Sequence, residues 1–397
     1  MKKLTNTMDI RVLNAISILK MLRHQPSKTK SQLATETGLS FSSSSNIASI
    51  LVDKGLLKID ENCLSTGGRK AACLSFNGDF AYSLVLDLHD NRTGYLGLVN
   101  MNNDIIDKVA FEIKSSDTLV DIQIKIAQAN KEIISGITTP IIGVCCAIAA
   151  VFLESSSIVL SCSNPVFEGL NIVSILQDLF HNQFIVVEND ANLSILSQGF
   201  DDVSTTSKIS IFLTQGVGMG LMINNQLYKG KDGIAGELGH MKVRGESRQC
   251  KCGHYGCLRL FVPLESIAYD LHEIKLLEEG LPNMEYACQL AKRYRDNDMK
   301  VIERVELAKQ KLGEALALLL DIFNPDEFII CGNMGKLFEI FENGVKDTCR
   351  SYSKLAKPFD SKIRFDSRPS CDLMLIGGSE RLFDNWLQNG FENYISE

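Results

Sequence analysis

The chain has 397 residues, with 41 Lys and Arg against 48 Asp and Glu, a formal charge of −7. Its 45% hydrophobic and 22% charged residues exclude a disordered or collagen-like polymer and supply apolar material for more than one core. No uncharged apolar run reaches the ~20 residues that span a bilayer, and the N-terminus lacks the apolar stretch and small-residue cleavage site of a signal peptide, so the expected location is cytoplasmic, with no membrane partner. The charge is uneven. Residues 1–76 carry 11 basic and 5 acidic side chains, or +6, while the remaining 30 basic and 43 acidic side chains give −13. A basic head on an acidic body points to a polyanion as partner of the head alone.

In the head, apolar residues (Ile10, Leu13, Ile16, Ile18, Leu19, Leu22) recur near helical spacing over 8–24, and Pro26 ends the run. Thr29 can cap a short second helix that Gly38 stops, and Ser40 can cap a third over 41–54. That third helix would bury Ile47, Ile50 and Leu51 and turn Ser42, Ser43, Ser45, Asn46 and Ser49 outward. Small, uncharged polar side chains let a helix lie close in the DNA major groove, where Asn can pair with adenine; the pattern is a helix-turn-helix. Beyond Gly55, strands at 56–59 and 71–76 would flank Gly67-Gly68-Arg69-Lys70. This is a wing, with glycines that permit close approach to phosphate or minor groove and with Arg69 and Lys70 supplying charge. The expected partner is operator DNA, read by more than one head, since a single module offers a small reading surface.

The body alternates strands and helices. Strands are expected at 82–88, 94–99 and 105–113, a helix at 119–134, a strand at 141–149, a helix at 172–180, a strand at 184–188 and a helix from Ala191. A second set begins at Lys208, with strands at 209–213 and 220–223, long helices within 263–323, a strand at 327–331 and a closing helix after Gly378. Two α/β halves with a glycine-rich junction imply a cleft between lobes. The expected division is a winged helix-turn-helix domain over 1–76, a first lobe over 77–200 completed by a C-terminal helix at about 378–397, and a second lobe over 201–377.

Three constellations carry chemistry. Thr214-Gln215-Gly216-Val217-Gly218-Met219-Gly220 reads as strand-turn-strand, with glycines that either let backbone N–H groups approach an anion or serve hairpin geometry. Cys250, Cys252 and Cys257 fall within Cys250-Lys251-Cys252-Gly253-His254-Tyr255-Gly256-Cys257. With one His they would make a closed tetrahedral zinc (Zn2+) site, and both His240 and His254 compete to be the fourth ligand. The remaining nine Cys of the twelve follow no disulfide framework. Finally, Glu188-Asn189-Asp190-Ala191-Asn192 at a strand end, together with Gly236-Glu237-Leu238-Gly239-His240, offers carboxylates that accept hydrogen bonds from sugar hydroxyls. One of them could act as a base, although Asn-Asp after a strand also caps helices.

Taken in this order, these motifs resemble the ROK family of repressors, open reading frames and sugar kinases, specifically its winged-helix repressor branch, over essentially the whole chain. The resemblance implies an α/β fold: an N-terminal winged helix-turn-helix followed by a two-lobed actin/hexokinase-like (ribonuclease H-like) body. It implies that Asn189, Asp190, Glu237 and His240 match sugar-binding positions, that Asp190 matches the kinase base, and that His240, Cys250, Cys252 and Cys257 match the ligands of a structural zinc.

The departures from the family pattern shape the functional expectation. The kinases' Asp-x-Gly-Gly-Thr phosphate loop here reads Asp87-Leu88-His89-Asp90-Asn91-Arg92, without glycine and with an added acid. The second phosphate segment is Thr214-Gln215-Gly216 rather than Gly-Thr-Gly, a Pro-Gly turn is replaced by Ala149-Ala150, and Arg259 stands where the family has a sugar-contacting Glu. Arg259 would favour an acidic or phosphorylated sugar. Asp190 is then a vestigial base, and no catalytic residue is expected. The reading is a sugar-responsive transcriptional repressor of carbohydrate-metabolism genes, a homodimer or homotetramer with effector in the cleft. The alternatives are an ATP-dependent sugar kinase with a DNA-binding head, and a regulator controlled by a protein partner.

Overall fold

The computed structural model describes residues 7–25, 27–60, 72–153, 156–199, 206–243, 245–354 and 362–396. The head packs helices Thr7–His24, Lys30–Thr37 and Phe41–Asp53. Both of the shorter helices start as their sequence implies. The Thr29 hydroxyl accepts from the backbone of Gln32, whose own side chain returns the bond, and the Ser40 hydroxyl accepts from the backbone of Ser43. Gly38 ends the second helix in the left-handed region at φ 69°. Ser44, Ile47, Ala48 and Leu51 of the third helix are buried, while Ile50 is only half-buried.

The wing strands Leu57–Asp60 and Cys73–Phe76 pair antiparallel, and Lys28–Thr29 adds a third strand on the other side of Cys73–Phe76. A two-residue strand carries no period, which is why the sequence pattern missed it. Arg69 and Lys70, the residues expected at the wing tip, lie outside the described residues.

The body holds two five-stranded sheets of matching design. In the first, the order is Ile185–Asn189, Ile141–Ile148, Tyr82–Leu88, Thr93–Asn100, Ile105–Glu112; the first three run parallel, and the last two continue as an antiparallel meander from Tyr82–Leu88. In the second, the order is Gln226–Leu227, Val217–Ile223, Lys208–Leu213, Glu327–Gly332, Ile363–Asp366. The helix Leu337–Tyr352, the strand Ile363–Asp366 and the hairpin of Ala150–Leu153 with Ile158–Cys162 were not anticipated.

Three expectations need correction. Cys73 of the wing strand is disulfide-bonded, so the cysteines outside the knuckle are not all free thiols. The closing helix runs over Ser370–Asn389, followed by Phe391–Ser396, and so begins well before Gly378. Gly377 and Gly378 lie inside it because side chains there would strike the Leu193 carbonyl at 2.1 Å and the Val85 side chain at 2.5 Å. The glycine stretch is mostly strand rather than turn, since Val217–Ile223 contains Gly218 and Gly220. A Cβ on Gly220 would lie 2.3 Å from the Ala191 carbonyl, and one on Gly218 would lie 2.7 Å from the Ala191 Cβ. These glycines let the helix Asp190–Leu196 seat on the second sheet, and that contact positions Asp190.

The Ser370–Asn389 helix joins all three parts. Its Leu373, Met374, Leu375 and Leu382 share a core with Val85, Cys145 and Ala147 of the first sheet and Phe212, Ile329 and Cys331 of the second. Its Phe383 and Leu387, with Phe391 and Ile395 beyond, share another with Ile18, Leu19, Leu22 and Leu51 of the head. Beside that second core the Arg23 guanidinium donates to Glu380 at 2.8 Å, to the Met101 carbonyl at 2.6 Å and to Asn103 at 2.9 Å, and lies 4.0 Å over the Phe383 ring. Arg23 and Glu380 are both almost fully buried.

Candidate functional site

The strand Ile185–Asn189 passes directly into the helix that begins with Asp190. The Asn189 side-chain oxygen accepts from the Ala191 backbone and caps that helix, while its amide donates to the Ala150 carbonyl at 3.1 Å. Part of its polar capacity is therefore spent on structure, and one amide hydrogen and one lone pair remain for a ligand. Glu188, one residue earlier, is fully buried and receives Asn192 at 2.9 Å, Lys229 at 3.0 Å and Arg381 at 3.1 Å. Arg381 belongs to the closing helix, next to the Glu380 that grips the head.

Asp190 is buried at 7% exposure. Burial raises its carboxyl to about 6, against the pull of the charged His89 and of the Ala191 backbone N–H, with Asp87 and Glu237 adding to the rise. From the other lobe, Gly236 holds φ 101°, and a side chain there would strike the Met219 carbonyl at 2.1 Å. That backbone leads into Glu237, which is exposed. Burial raises the Glu237 carboxyl and Arg259 lowers it. His240 Nε2 stands 3.9 Å from Glu237. Asp190 thus feels Glu237 from the other lobe, and Glu237 and His240 each feel Arg259; of these side chains only Arg259 lines the large cleft. The Arg259 guanidinium donates weakly to the Gln215 carbonyl at 3.4 Å. It lines, with Gln215, Ser163, Asn164 and Asn333, a cleft of about 1860 Å³.

The segment from Asp87 to Arg92 bridges elements instead of making a glycine loop. His89 Nδ1 meets Asp87 at 2.6 Å and its Nε2 meets the Ser370 hydroxyl at 3.0 Å. Burial alone would lower this imidazole, but the charge and hydrogen bond of Asp87, reinforced by Asp190 and Asp90, carry it up to about 9. It is an imidazolium at neutral pH. Gln215 donates to Asn91, and Arg92 donates to the Leu277 carbonyl and lies 3.6 Å from Glu265, so first-lobe residues are tied to the second lobe at each step. Sequence reasoning noted the missing glycines but not these bridges, because their partners are distant in the chain.

His240, Cys250, Cys252 and Cys257 place one donor atom each within 4.8 Å of one another, and His254 is not part of this group. Bridges Lys242 to Cys257 and Gln249 to Tyr255 fold the knuckle. The fit to a metal is specific: His240 Nδ1 is buried with no hydrogen-bond partner, while Nε2 faces Glu237. Burial, followed by the charges of Arg259 and Lys242, lowers the His240 imidazole and keeps it in the neutral form that ligates metals. In the head, Ser42, Ser43 and Asn46 are exposed and Ser45 is half-buried. The Ser43 hydroxyl is engaged with Ser40 at 2.9 Å, and Lys30 reaches across to Ser49 at 3.1 Å.

The architecture is that of a winged helix-turn-helix head carried on a two-lobed α/β body with a cleft and a Cys/His knuckle. The ROK family pattern matches residues 95–362, more than half of the sequence, and the chain belongs to the ROK family. It is 25% identical to a protein named xylose repressor from Caldicellulosiruptor bescii, over 89% of this chain and 91% of that one. Its fold matches the crystal structure of a ROK family transcriptional regulator, a homologue of the E. coli MLC protein, with a TM-score of 0.74 at 18% identity over 97% and 99% of the two chains. It also matches a ROK family glucokinase from Streptomyces griseus solved with glucose and AMPPNP, with a TM-score of 0.62 at 19% identity over 76% of this chain and 99% of that one. Among the described residues no helix is long and apolar enough to cross a membrane.

Proposed function

We propose that this protein is a sugar-responsive, DNA-binding transcriptional repressor that acts in the cytoplasm as a homodimer or homotetramer. The observation that carries this reading is that similarity to a protein named a xylose repressor runs over 89% of the chain, head and body together. The effector sugar sits between lobes, hydrogen-bonded by Asn189 and Asp190 from one side and by Glu237 and His240 from the other, with Arg259 alongside. Ser42, Ser45 and Asn46 face the major groove, Ser43 stiffens the start of the helix that carries them, and Arg69 and Lys70 contact the backbone or minor groove. Zinc is held by His240, Cys250, Cys252 and Cys257. Three thiolates and one imidazole are a closed, structural donor set, and the ion would stiffen the loop that presents Glu237 and the free edge of the His240 ring.

The kinase reading is disfavoured by the segment that would cradle a triphosphate. His89, Asn91 and Arg92 spend their polar groups on Ser370, Gln215, Leu277 and Glu265, and Asp90 adds negative charge where phosphates would approach. The fold alone is compatible with either reading. Purified protein incubated with ATP and a panel of hexoses and pentoses should yield no sugar phosphate, while the same preparation selects specific duplexes from a random DNA pool. Sustained ATP-dependent phosphorylation that disappears in Asp190→Asn would restore the kinase, and failure to select any DNA sequence would remove the repressor.

A further inference from the structure

The exposed side chains of the Phe41–Asp53 helix are the hydroxyls of Ser42, Ser43 and Ser49, the amide of Asn46, the carboxylate of Asp53 at its far end, and one aromatic ring. Phe41, its first residue, is 60% exposed. Its ring belongs to no core cluster and makes no aromatic contact among the described residues. Its place is fixed rigidly. The Gly38 turn is closed by a bond from the Leu39 N–H to the Ala34 carbonyl at 3.1 Å, and Ser40 caps the helix through Ser43. Phe41 and Ser42 open the first turn, and Asn46 follows one turn after Ser42 at an angular offset of about 40°. First-turn residues of the second helix in a helix-turn-helix are the ones that reach base edges.

We infer that Phe41 is a specificity-determining residue that reads the C5-methyl group of one thymine in each operator half-site. The inference rests on the head being a DNA reader. The chemistry that recognises an exposed aromatic ring in the major groove is narrow. The base edges there present donors, acceptors and a single apolar projection, the thymine methyl, which cytosine lacks. Ser42 and Asn46 next to it can bond polar edges; Phe41 cannot, and it gains only by covering a methyl. The +6 charge of residues 1–76 matches a polyanion as occupant of this face and disfavours a cationic protein surface.

The test uses the full chain. Duplexes are selected from a random pool with wild-type protein, and each thymine of the selected site is then replaced singly by deoxyuridine, which deletes only the methyl. Wild type should lose affinity by about fourfold at one thymine per half-site, the value of one buried methyl-sized group. Phe41→Ala should bind the unmodified site about as weakly as wild type binds the deoxyuridine site, and should show no further loss on the replacement. Phe41→Leu, which keeps an apolar side chain, should retain part of the discrimination. Thermal melting of both variants should match wild type, because the ring supports no core. An identical deoxyuridine penalty in wild type and Phe41→Ala, or no penalty at any thymine, overturns the assignment of Phe41 and leaves DNA binding standing. If wild type enriches no sequence at all, the DNA-reading function falls, and this inference with it.

Discussion

Asp190 and His89 are neighbours in electrostatics and opposites in consequence. The native Asp190 carboxyl titrates at about 6 against an ordinary 3.8. Between those values the folded protein holds a proton that the unfolded chain has released, so stability is greatest below the lower value and declines as pH rises through the higher one. Asp190→Asn should therefore stabilise the protein by about 1–3 kcal/mol at pH 7.5 and leave it unchanged near pH 4. Melting temperatures of the two proteins across that range decide the matter, and a destabilised variant at pH 7.5 would contradict it. His89 runs the other way. Its imidazole is raised from 6.5 to about 9, so the Asp87 pairing contributes fully below the lower value and fades as pH climbs through the higher. His89→Gln should cost about 3–5 kcal/mol at pH 7, the usual penalty for leaving a buried charge unpaired, and clearly less at pH 10. An equal cost at both pH values would mean that the imidazole is neutral.

At the scale of elements, the knuckle and the closing helix differ in how much the sequence disclosed. The knuckle was legible because its cysteines are close in sequence and thiol chemistry limits what such spacing means. Choosing His240 over His254 from the residues alone was not possible, since Leu238–His240 approaches the thiols only through the bridge of Lys242 to Cys257. Cys252→Ser should release the metal and lower the melting temperature, because a hydroxyl is a poor replacement for thiolate in a soft site. Metal analysis of fresh wild-type protein should find one zinc per chain, and none would sink the assignment. The helix caps at Thr29 and Ser40 were legible for a similar reason, each being decided within a few residues. The early start of the Ser370–Asn389 helix was hidden by Gly377 and Gly378, which look like a break and instead allow close packing on Leu193 and Val85. The bridges of the 87–92 segment were equally hidden, because His89 depends on Ser370 and Asn91 on Gln215, pairings that only the tertiary fold creates.

At the scale of the whole molecule, one helix touches everything that a ligand-controlled regulator must connect. Glu380 holds Arg23 of the head, and the next residue, Arg381, holds Glu188 beside Asn189 and Asp190. A sugar that contacts both lobes favours one lobe arrangement by its difference in affinity for the two, and only that difference can move the equilibrium. Arg381, which holds Glu188, belongs to a helix that shares a buried core with the head, so a ligand-driven movement of the Glu188 strand end would be passed to the head through it. In the dimer proposed above, the two heads would fit their half-sites at one separation only. Effector should therefore change operator affinity by roughly 5–150-fold, and operator DNA must change effector affinity by the same factor. Glu237→Gln should lose the response while keeping effector-free operator binding, because the lost charge lies far from the head. Arg381→Met should behave differently, retaining operator binding and measurable effector binding but with the factor linking them reduced toward one. Operator titrations with and without the sugar that most raises the melting temperature, on wild type and both variants, separate these outcomes. If wild type binds that sugar tightly and its operator affinity does not move, the cleft is not the switch, and control by a protein bound to the body takes its place.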